Sequence, residues 1–422
     1  MTGSRGSTAT LAALGVLYWS AHTMLRPLIG PYVLGQGGTA SDASIALASF
    51  AVLPTVLAIP VGALTDRWGP RALLVAGGAV MAVGGLTLFI PAGLAGVIGS
   101  QALIGVGTLA VWVSLQTVAT LAQHEAETTA ARNARLATFS LFLAAGQAIG
   151  PALGGALVEV GGYAMAFAGY TGLSVLVVAL ALCVRGCRPE AQSRRPRPPV
   201  LRAYREGLAM MRTPTVAVTV VVSFTALVVL DIRNAYHPVL LSGAGLAQWQ
   251  IGLLLSVAAA FGFLSRPFFP LAMARLRPTV MVGLVLGVGS VSVVAVVLAP
   301  SDVGVLAVLA AVNGFALGFA QPLTLSLMAD HTPEEQRGLA SGLRSTANRA
   351  AQFANPAIFG LAAGALTLTG SFVLVGGLLA AVAAGSVAAL GRAGRRGHGV
   401  GGRPIAGVGT GHGDRAHDAD GG

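Results

Sequence analysis

Long apolar stretches, separated by short polar or glycine- and proline-rich segments, run from about residue 9 to residue 390. An α-helix needs roughly 20 predominantly apolar residues to cross a bilayer. Twelve stretches meet that length, and they predict an all-α membrane protein with twelve transmembrane helices. The predicted spans are 9–34, 43–63, 72–91, 95–121, 135–158 and 163–185, then 214–241, 249–272, 279–299, 304–328, 338–365 and 370–391.

The spans form two groups of six, separated by an arginine- and proline-rich segment. We predict an N-terminal six-helix bundle at 1–185, a cytoplasmic linker at 186–213, a C-terminal six-helix bundle at 214–391 and a disordered cytoplasmic tail at 392–422. The end of the linker, LRAYREGLAMMR, is amphipathic and is compatible with a short helix on the membrane surface. Histidines in the glycine-rich tail leave metal binding there as an alternative to disorder.

Charge then fixes the predicted orientation. The chain is 55% hydrophobic and 10% charged with a formal net charge of +11, and every basic residue is arginine. Arginines occupy the linker and alternate loops, whereas the opposite loops carry Asp42, Glu159 and Asp302. The positive-inside rule therefore places both termini in the cytoplasm. Because topology accounts for the positive charge, we expect no nucleic-acid partner. The lysine-free, Ala- and Gly-rich usage is typical of a GC-rich bacterial genome, so we expect a bacterial cell membrane.

The two halves also resemble each other at offsets of 205 to 208 residues. RPLIGP (26–31) aligns with RNAYHP (233–238), and GALTDRWGPR (62–71) aligns with PLAMARLRPT (270–279). In the fifth and eleventh spans an Arg, a Gln and a Pro recur at matching positions. A parallel repeat of this kind is expected when two bundles rock about a central site.

The loop GALTDRWGPR resembles the G-x-x-x-D-R-x-G-x-R signature between the second and third helices of the major facilitator superfamily. The resemblance implies transport by alternating access, with this loop latching the halves in the outward-facing state. It assigns conformational gating to Gly62, Asp66, Arg67, Gly69 and Arg71. Pro70 stands where the family usually has a basic residue, which weakens the expected latch. A tight cytoplasmic turn with lipid-facing arginines is the alternative.

GQAIGPALGG (146–155) matches the pattern G-x-x-x-G-P-x-x-G-G, which the superfamily associates with antiporters. Gly146, Gly150 and Gly154 share one helical face and would let a neighbouring backbone approach, and Pro151 would bend the helix. With Gly155 these residues are further candidates for conformational gating. Ordinary small-residue packing is the alternative. The resemblance is incomplete in span four, where Gln101 replaces the arginine often found in exporters.

Charged residues inside spans mark the candidate site, because a charge in the bilayer is costly and usually functional or paired. Asp231 in VLDIRNAYHP is the candidate proton-coupling residue, and it lies deep enough to meet Arg26 and Arg233. A nearby arginine would favour its charged form, so a structural ion pair stays an alternative. The candidate substrate-binding residues are Arg26, Arg233, Arg349, Asn234, Tyr236, Trp112, Gln147, Asn313 and Asn348.

These features predict a proton-coupled exporter of small organic molecules, resembling twelve-helix drug:proton antiporters. Proton-coupled uptake or exchange of an anionic metabolite is the second hypothesis, because arginines outnumber acids deep in the spans. A transporter-like sensor is the third. We expect no enzymatic activity, no cofactor and no metal site, since the chain lacks a phosphate-binding loop and a metal-ligand cluster. The expected energy source is the proton gradient, and the expected form is a monomer in the lipid bilayer.

Overall fold

A computed structural model describes residues 2–90, 92–121, 129–184, 205, 208–299, 301–332 and 337–399. The described chain is almost wholly helical. The N half contains α1 (Thr2–Gly35), α2 (Ala40–Trp68), α3 (Pro70–Thr87), α4 (Gly93–Leu121) and α5 (Thr129–Leu182). The C half contains α6 (Pro214–Ala235), α7 (His237–Gly243), α8 (Gln248–Leu264), α9 (Phe269–Arg275), α10 (Pro278–Leu298), α11 (Val303–Gly318), α12 (Ala320–Asp330), α13 (Arg337–Ala365) and α14 (Leu368–Gly399).

Nine segments of the described chain are long and apolar enough to cross a membrane. One of them, Thr138–Leu182, is 45 residues long and contains the predicted boundary between spans five and six. The backbone of α5 leaves helical geometry there, at Gly161 and at Gly162, whose φ is 69°. α1 and α13 lie outside the nine, so the count of twelve spans stays a prediction.

Prolines divide three spans of the C half into shorter helices. Pro238 follows the break between α6 and α7, Pro267 lies in a 3₁₀ turn between α8 and α9, and Pro322 follows the break between α11 and α12. Proline has no backbone N–H and its ring crowds the preceding turn, so each helix is interrupted near it. The first of these breaks lies beside Asp231 and Arg233.

The two predicted outer-loop acids at helix starts have a structural use. Thr39 and Asp42 form a capping box at the start of α2, and the Asp302 carboxylate accepts a hydrogen bond from Val305 N at 3.0 Å at the start of α11. Carboxylates at these positions satisfy amides that a helix leaves unbonded. Neither acid is therefore needed to explain transport.

Three boundaries of the predicted domains can be compared with the ends of helices. α5 ends at Leu182 and α6 begins at Pro214, in line with bundles at 1–185 and 214–391. The last helix continues to Gly399, past the predicted start of the tail at residue 392. Most of the linker and residues 400–422, including half of the predicted amphipathic helix and most tail histidines, lie outside the described residues.

The halves contact each other through α2 against α13, α5 against α8, and α1 against α6 and α7. A Cβ placed at Gly360 would lie 2.8 Å from Ser44 Cβ, and one at Gly364 would lie 3.2 Å from Ser41 Oγ. These close approaches lie near the helix ends that the arginine pattern predicts to be outside. The described chain is thus closed at its predicted outer end.

Candidate functional site

An ion pair joins the two halves. Arg26 Nη2 on α1 donates to Asp231 Oδ1 on α6, and the side chains are 12% and 8% exposed. Asn355 Nδ2 on α13 donates to the second oxygen, Asp231 Oδ2, at 2.8 Å. The Arg26 guanidinium also lies 5.2 Å from the centre of the Phe50 ring on α2. Both oxygens of the carboxylate are therefore occupied while the outer end is closed.

An aromatic wall lies next to this pair along α1, on the inner side. It consists of Tyr18, Trp19, His22 and Trp112. Tyr18 stacks on Trp112 with ring centres 6.0 Å apart, and Trp19 meets Trp112 edge-on at 5.3 Å. His22 stacks on Tyr18 at 6.0 Å and contacts Phe50 at 5.6 Å. Trp19, His22 and Trp112 are only partly buried, so rings in the wall are accessible to a ligand.

Arg349 on α13 lies close enough to Tyr18 and His22 of the aromatic wall to interact with them electrostatically. It is partly exposed, and Arg349 Nη1 donates a long hydrogen bond of 3.4 Å to Gln352. No carboxylate of the described chain lies within ion-pair distance of it. Among the described side chains, none neutralises the charge of Arg349, whereas Asp231 pairs with Arg26.

Arg233 is placed differently from its repeat partner Arg26. Asp231 and Arg233 are two residues apart and thus about 200° apart around a helix, so they point to opposite sides of α6. Arg233 Nη1 donates to Asn313 Oδ1 at 3.1 Å, inside the C half. The structure thus brings Asp231 together with Arg26 and separates Arg233 from both.

The remaining polar candidates are distributed among several places. Asn313 is buried with Arg233, and Asn234 accepts from Arg233 Nε at 3.3 Å. Asn348 accepts from Ser223 Oγ at 2.8 Å, which ties α13 to α6. Tyr236 is 2% exposed and stacks on Phe359 at 4.0 Å, so it is packed rather than lining an open wall. Gln147 is partly buried on α5.

The glycine face of α5 packs on α1 as the sequence predicts. Cβ atoms at Gly146, Gly150 and Gly154 would lie 2.6–2.7 Å from the carbonyl oxygens of Val16, Ser20 and Met24, successive turns of α1. Such distances require glycine, because real Cβ atoms are never so close to a backbone oxygen. Close backbone approach is how membrane helices gain packing energy.

The next glycine, Gly155, faces the other half instead. Its Cβ would lie 2.8 Å from Trp249 Cα at the start of α8, and a Cβ at Gly252 would lie 3.0 Å from the carbonyl carbon of Pro151. Ala152 N donates to Ser256 Oγ at 3.0 Å across the same contact. The GQAIGPALGG segment is therefore held against both α1 and the C half.

The GALTDRWGPR loop is open at its glycine. No heavy atom lies within 4 Å of a Cβ at Gly62, Arg67 is exposed, and Gly69 has a φ of 83° that favours glycine at this turn. Arg71 Nη2 donates to Leu182 O at 2.7 Å and so caps the end of α5. The Asp66 side chain lies outside the described residues. The gating role expected for this loop stays a prediction.

Sequence reasoning missed Asn355 and three of the four rings of the aromatic wall, and both had a signal. Trp19, His22 and Arg26 follow the i, i+3, i+7 spacing of a single helical face. Asn355 lies next to Pro356 in the span-eleven repeat element, six residues from Arg349. The shared helical face with Arg26 was the signal for Trp19 and His22, and the position next to Pro356 in the repeat element was the signal for Asn355.

Comparison with known proteins agrees with this architecture. Over 209 residues the chain is 30% identical to the multidrug efflux pump LfrA of Mycolicibacterium smegmatis, a match that covers 49% of this chain and 36% of that protein. The nucleoside transporter NupG has a similar fold at a TM-score of 0.78 and 13% identity, covering 90% of this chain and 99% of NupG. A peptide transporter POT solved with sulfate has a similar fold at a TM-score of 0.74 and 17% identity, covering 92% of this chain and 95% of the POT chain.

These structural similarities, at identities below 25%, concern the fold alone. The family model of the Major Facilitator Superfamily matches residues 11–302 and 273–404, which together include most of the chain. With two helical halves packed through α2–α13 and α5–α8, the chain belongs to the major facilitator superfamily of membrane transporters.

Proposed function

We propose that this transporter exports small organic molecules in exchange for protons entering the cell, by alternating access. The observation that carries the proposal is the Arg26–Asp231 pair across the two halves. The distant similarity of the chain to an efflux pump supports transport in the outward direction. The antiporter-type glycine segment, seated on α1 and α8, supports the same class.

The position of the ion pair suggests how proton and substrate alternate. Opening the outer end must separate α1 from α6 and pull Arg26 away from Asp231. On this scheme the freed carboxylate, no longer paired with Arg26, takes up a proton from the outside. Closing the outer end brings Arg26 back, which favours the ionised carboxylate. The proton is then released, and on this scheme it leaves toward the open cytoplasmic side.

The aromatic wall suggests the substrate class. Trp19 and Trp112, which are partly exposed, offer faces and edges for stacking a planar ring system, and aromatic contacts of this kind add to simple apolar burial. Arg349, without a local carboxylate, favours a neutral or anionic substrate over a cationic one. We therefore propose planar aromatic compounds, neutral or with one acidic group, as substrates.

The first test measures coupling directly. In inside-out vesicles with an acidic interior, exported compounds exchange for protons and dissipate the gradient. We expect planar aromatic acids and neutral aromatics to dissipate it, and their saturated-ring analogues of equal charge to do so weakly. Vesicles without the protein are the control. A gradient that every compound leaves intact, together with substrate uptake driven in the opposite direction, would reject export.

The second hypothesis, transport of an anionic metabolite, depends on Arg349 and has its own test. In Arg349→Gln we expect affinity for an aromatic acid to fall at least about tenfold, the order expected for loss of one charged hydrogen bond. Affinity for its neutral amide should be unchanged. Arg266→Gln is the matched control, since Arg266 lies over Phe263 away from the site. Equal losses for acid and amide would contradict charge recognition by Arg349.

A further inference from the structure

Arg233 is a buried cation inside the C half. It is 8% exposed, and its hydrogen bonds go to the neutral amides of Asn313 and Asn234. The orientation of the Asn313 amide is fixed, because its Nδ2 donates to Ser292 Oγ at 2.5 Å. Among the described residues, the ion pair of the structure is Arg26–Asp231, and no carboxylate approaches Arg233. Its N–H groups are partly satisfied, but its charge is not neutralised.

His237 lies one helical turn beyond Arg233, across the break between α6 and α7. It is 6% exposed, and its Nε2 atom has no hydrogen-bond partner. A buried nitrogen without a partner is unusual in a folded protein. In the tautomer with the proton on Nε2, this atom is a donor. Arg233 and His237 thus place N–H groups that lack an acceptor, and the positive charge of the guanidinium, close to each other.

Both side chains line one small cavity within the C half, formed by α6, α7, α8, α10 and α11. Asn313 and Ser292 contribute the other polar atoms, and the rest of the lining is aliphatic. The free space holds on the order of two water-sized bodies. The aliphatic lining includes Leu241, Ile251, Leu254, Leu255, Val296, Leu306, Leu309 and Ala310.

A buried charge is stable when a counter-charge or a dense set of hydrogen bonds accompanies it. Water could complete the hydrogen bonds of Arg233 but would leave its charge in an apolar lining. A small anion would accept the remaining hydrogen bonds and also balance the charge. Among the described residues, no acidic side chain does so. The geometry therefore selects an anion of about the size of one or two waters.

We propose that this cavity is a binding site for chloride or a similar small monovalent anion, held by the Arg233 guanidinium and the His237 Nε2–H. The site is inside the C half and does not include Arg26, Asp231 or the aromatic wall. It goes beyond the proposed export function and does not depend on it. Its expected role is to stabilise the packing of α6 and α7 against α10 and α11.

The test uses the full-length purified protein in detergent, compared in sodium chloride and sodium gluconate at equal ionic strength. We expect chloride to raise the unfolding temperature saturably, since a ligand that binds only the folded state stabilises it. Excess ³⁵Cl NMR line broadening, reversed by bromide, should accompany the rise. Both responses should vanish in Arg233→Gln and persist in the matched control Arg266→Gln.

Wild-type protein with equal unfolding temperatures in the two salts and no excess broadening would overturn the proposal. Full responses in Arg233→Gln would overturn it as well. If Arg233→Gln does not fold, Ala310→Val provides the second variant, because it fills the cavity and leaves every charge in place. Loss of the chloride response in Ala310→Val supports the site, and a full response contradicts it.

Discussion

Replacing Asp231 with asparagine is expected to abolish proton-driven transport and to destabilise the closed-outside state. Arg26, 12% exposed, would lose its carboxylate, and removal of one partner of a buried pair costs about 3–5 kcal/mol. The amide of asparagine cannot take up and release a proton, so it cannot couple transport to the gradient. We expect gradient dissipation by substrate in inside-out vesicles to fall to background, with a lower unfolding temperature.

The double variant Arg26→Gln/Asp231→Asn separates a structural pair from a proton carrier. With both charges removed, no unpaired charge is left, and we expect most of the lost stability to return. Transport should stay at background, because the titrating carboxylate is still absent. Asp42→Asn is the control, since that acid caps α2 away from the pair. Gradient-driven transport in Asp231→Asn, or its recovery in the double variant, would show that Asp231 is only a structural partner of Arg26.

The sequence predicted the helical segments well because the bilayer imposes a strong length and polarity requirement on each of them. The break at Gly161 and Gly162 and the divided spans of the C half coincide with glycine and proline, whose backbone effects are local. The packing of Gly146, Gly150 and Gly154 was equally predictable, because three glycines on one face serve close approach to a backbone. Helix breaks and glycine faces are set by residues close together in the sequence, so they can be read from it.

The site was less predictable because its partners come from different helices. Arg26 and Arg233 occupy equivalent positions of the repeat, yet one pairs across the halves and the other lies inside the C half. The two-residue spacing from Asp231 to Arg233 already indicated opposite faces of a helix. That Asp231 also binds Asn355, and that Trp112 meets Tyr18 and Trp19, depends on how helices are arranged in three dimensions. A repeat constrains position along a helix but not the choice of partner.

Gly150→Leu is expected to prevent formation of a stable N half. Even its Cβ would lie 2.6 Å from Ser20 O and 3.0 Å from Met24 N, so α1 and α5 would have to separate along their whole contact. Overpacking of this kind costs about 3 kcal/mol or more when backbone must move. We expect little monodisperse protein after detergent extraction, measured by size-exclusion chromatography. Wild-type yield and unfolding temperature would contradict the close packing of these helices.

Gly62→Leu introduces the same side chain on a glycine with open surroundings, and so it separates packing from gating. No heavy atom lies within 4 Å of its Cβ position, so we expect wild-type yield and a change in unfolding free energy within about 0.5 kcal/mol. Transport requires the inner end to close when the outer end opens, and the leucine would then stand where the two halves meet. We therefore expect substrate binding to persist and transport to be lost, measured by tryptophan fluorescence and vesicle uptake. We thus expect Gly150→Leu to fail at folding and Gly62→Leu to fail at the conformational change. Full transport by Gly62→Leu would show that this glycine does not belong to the latch.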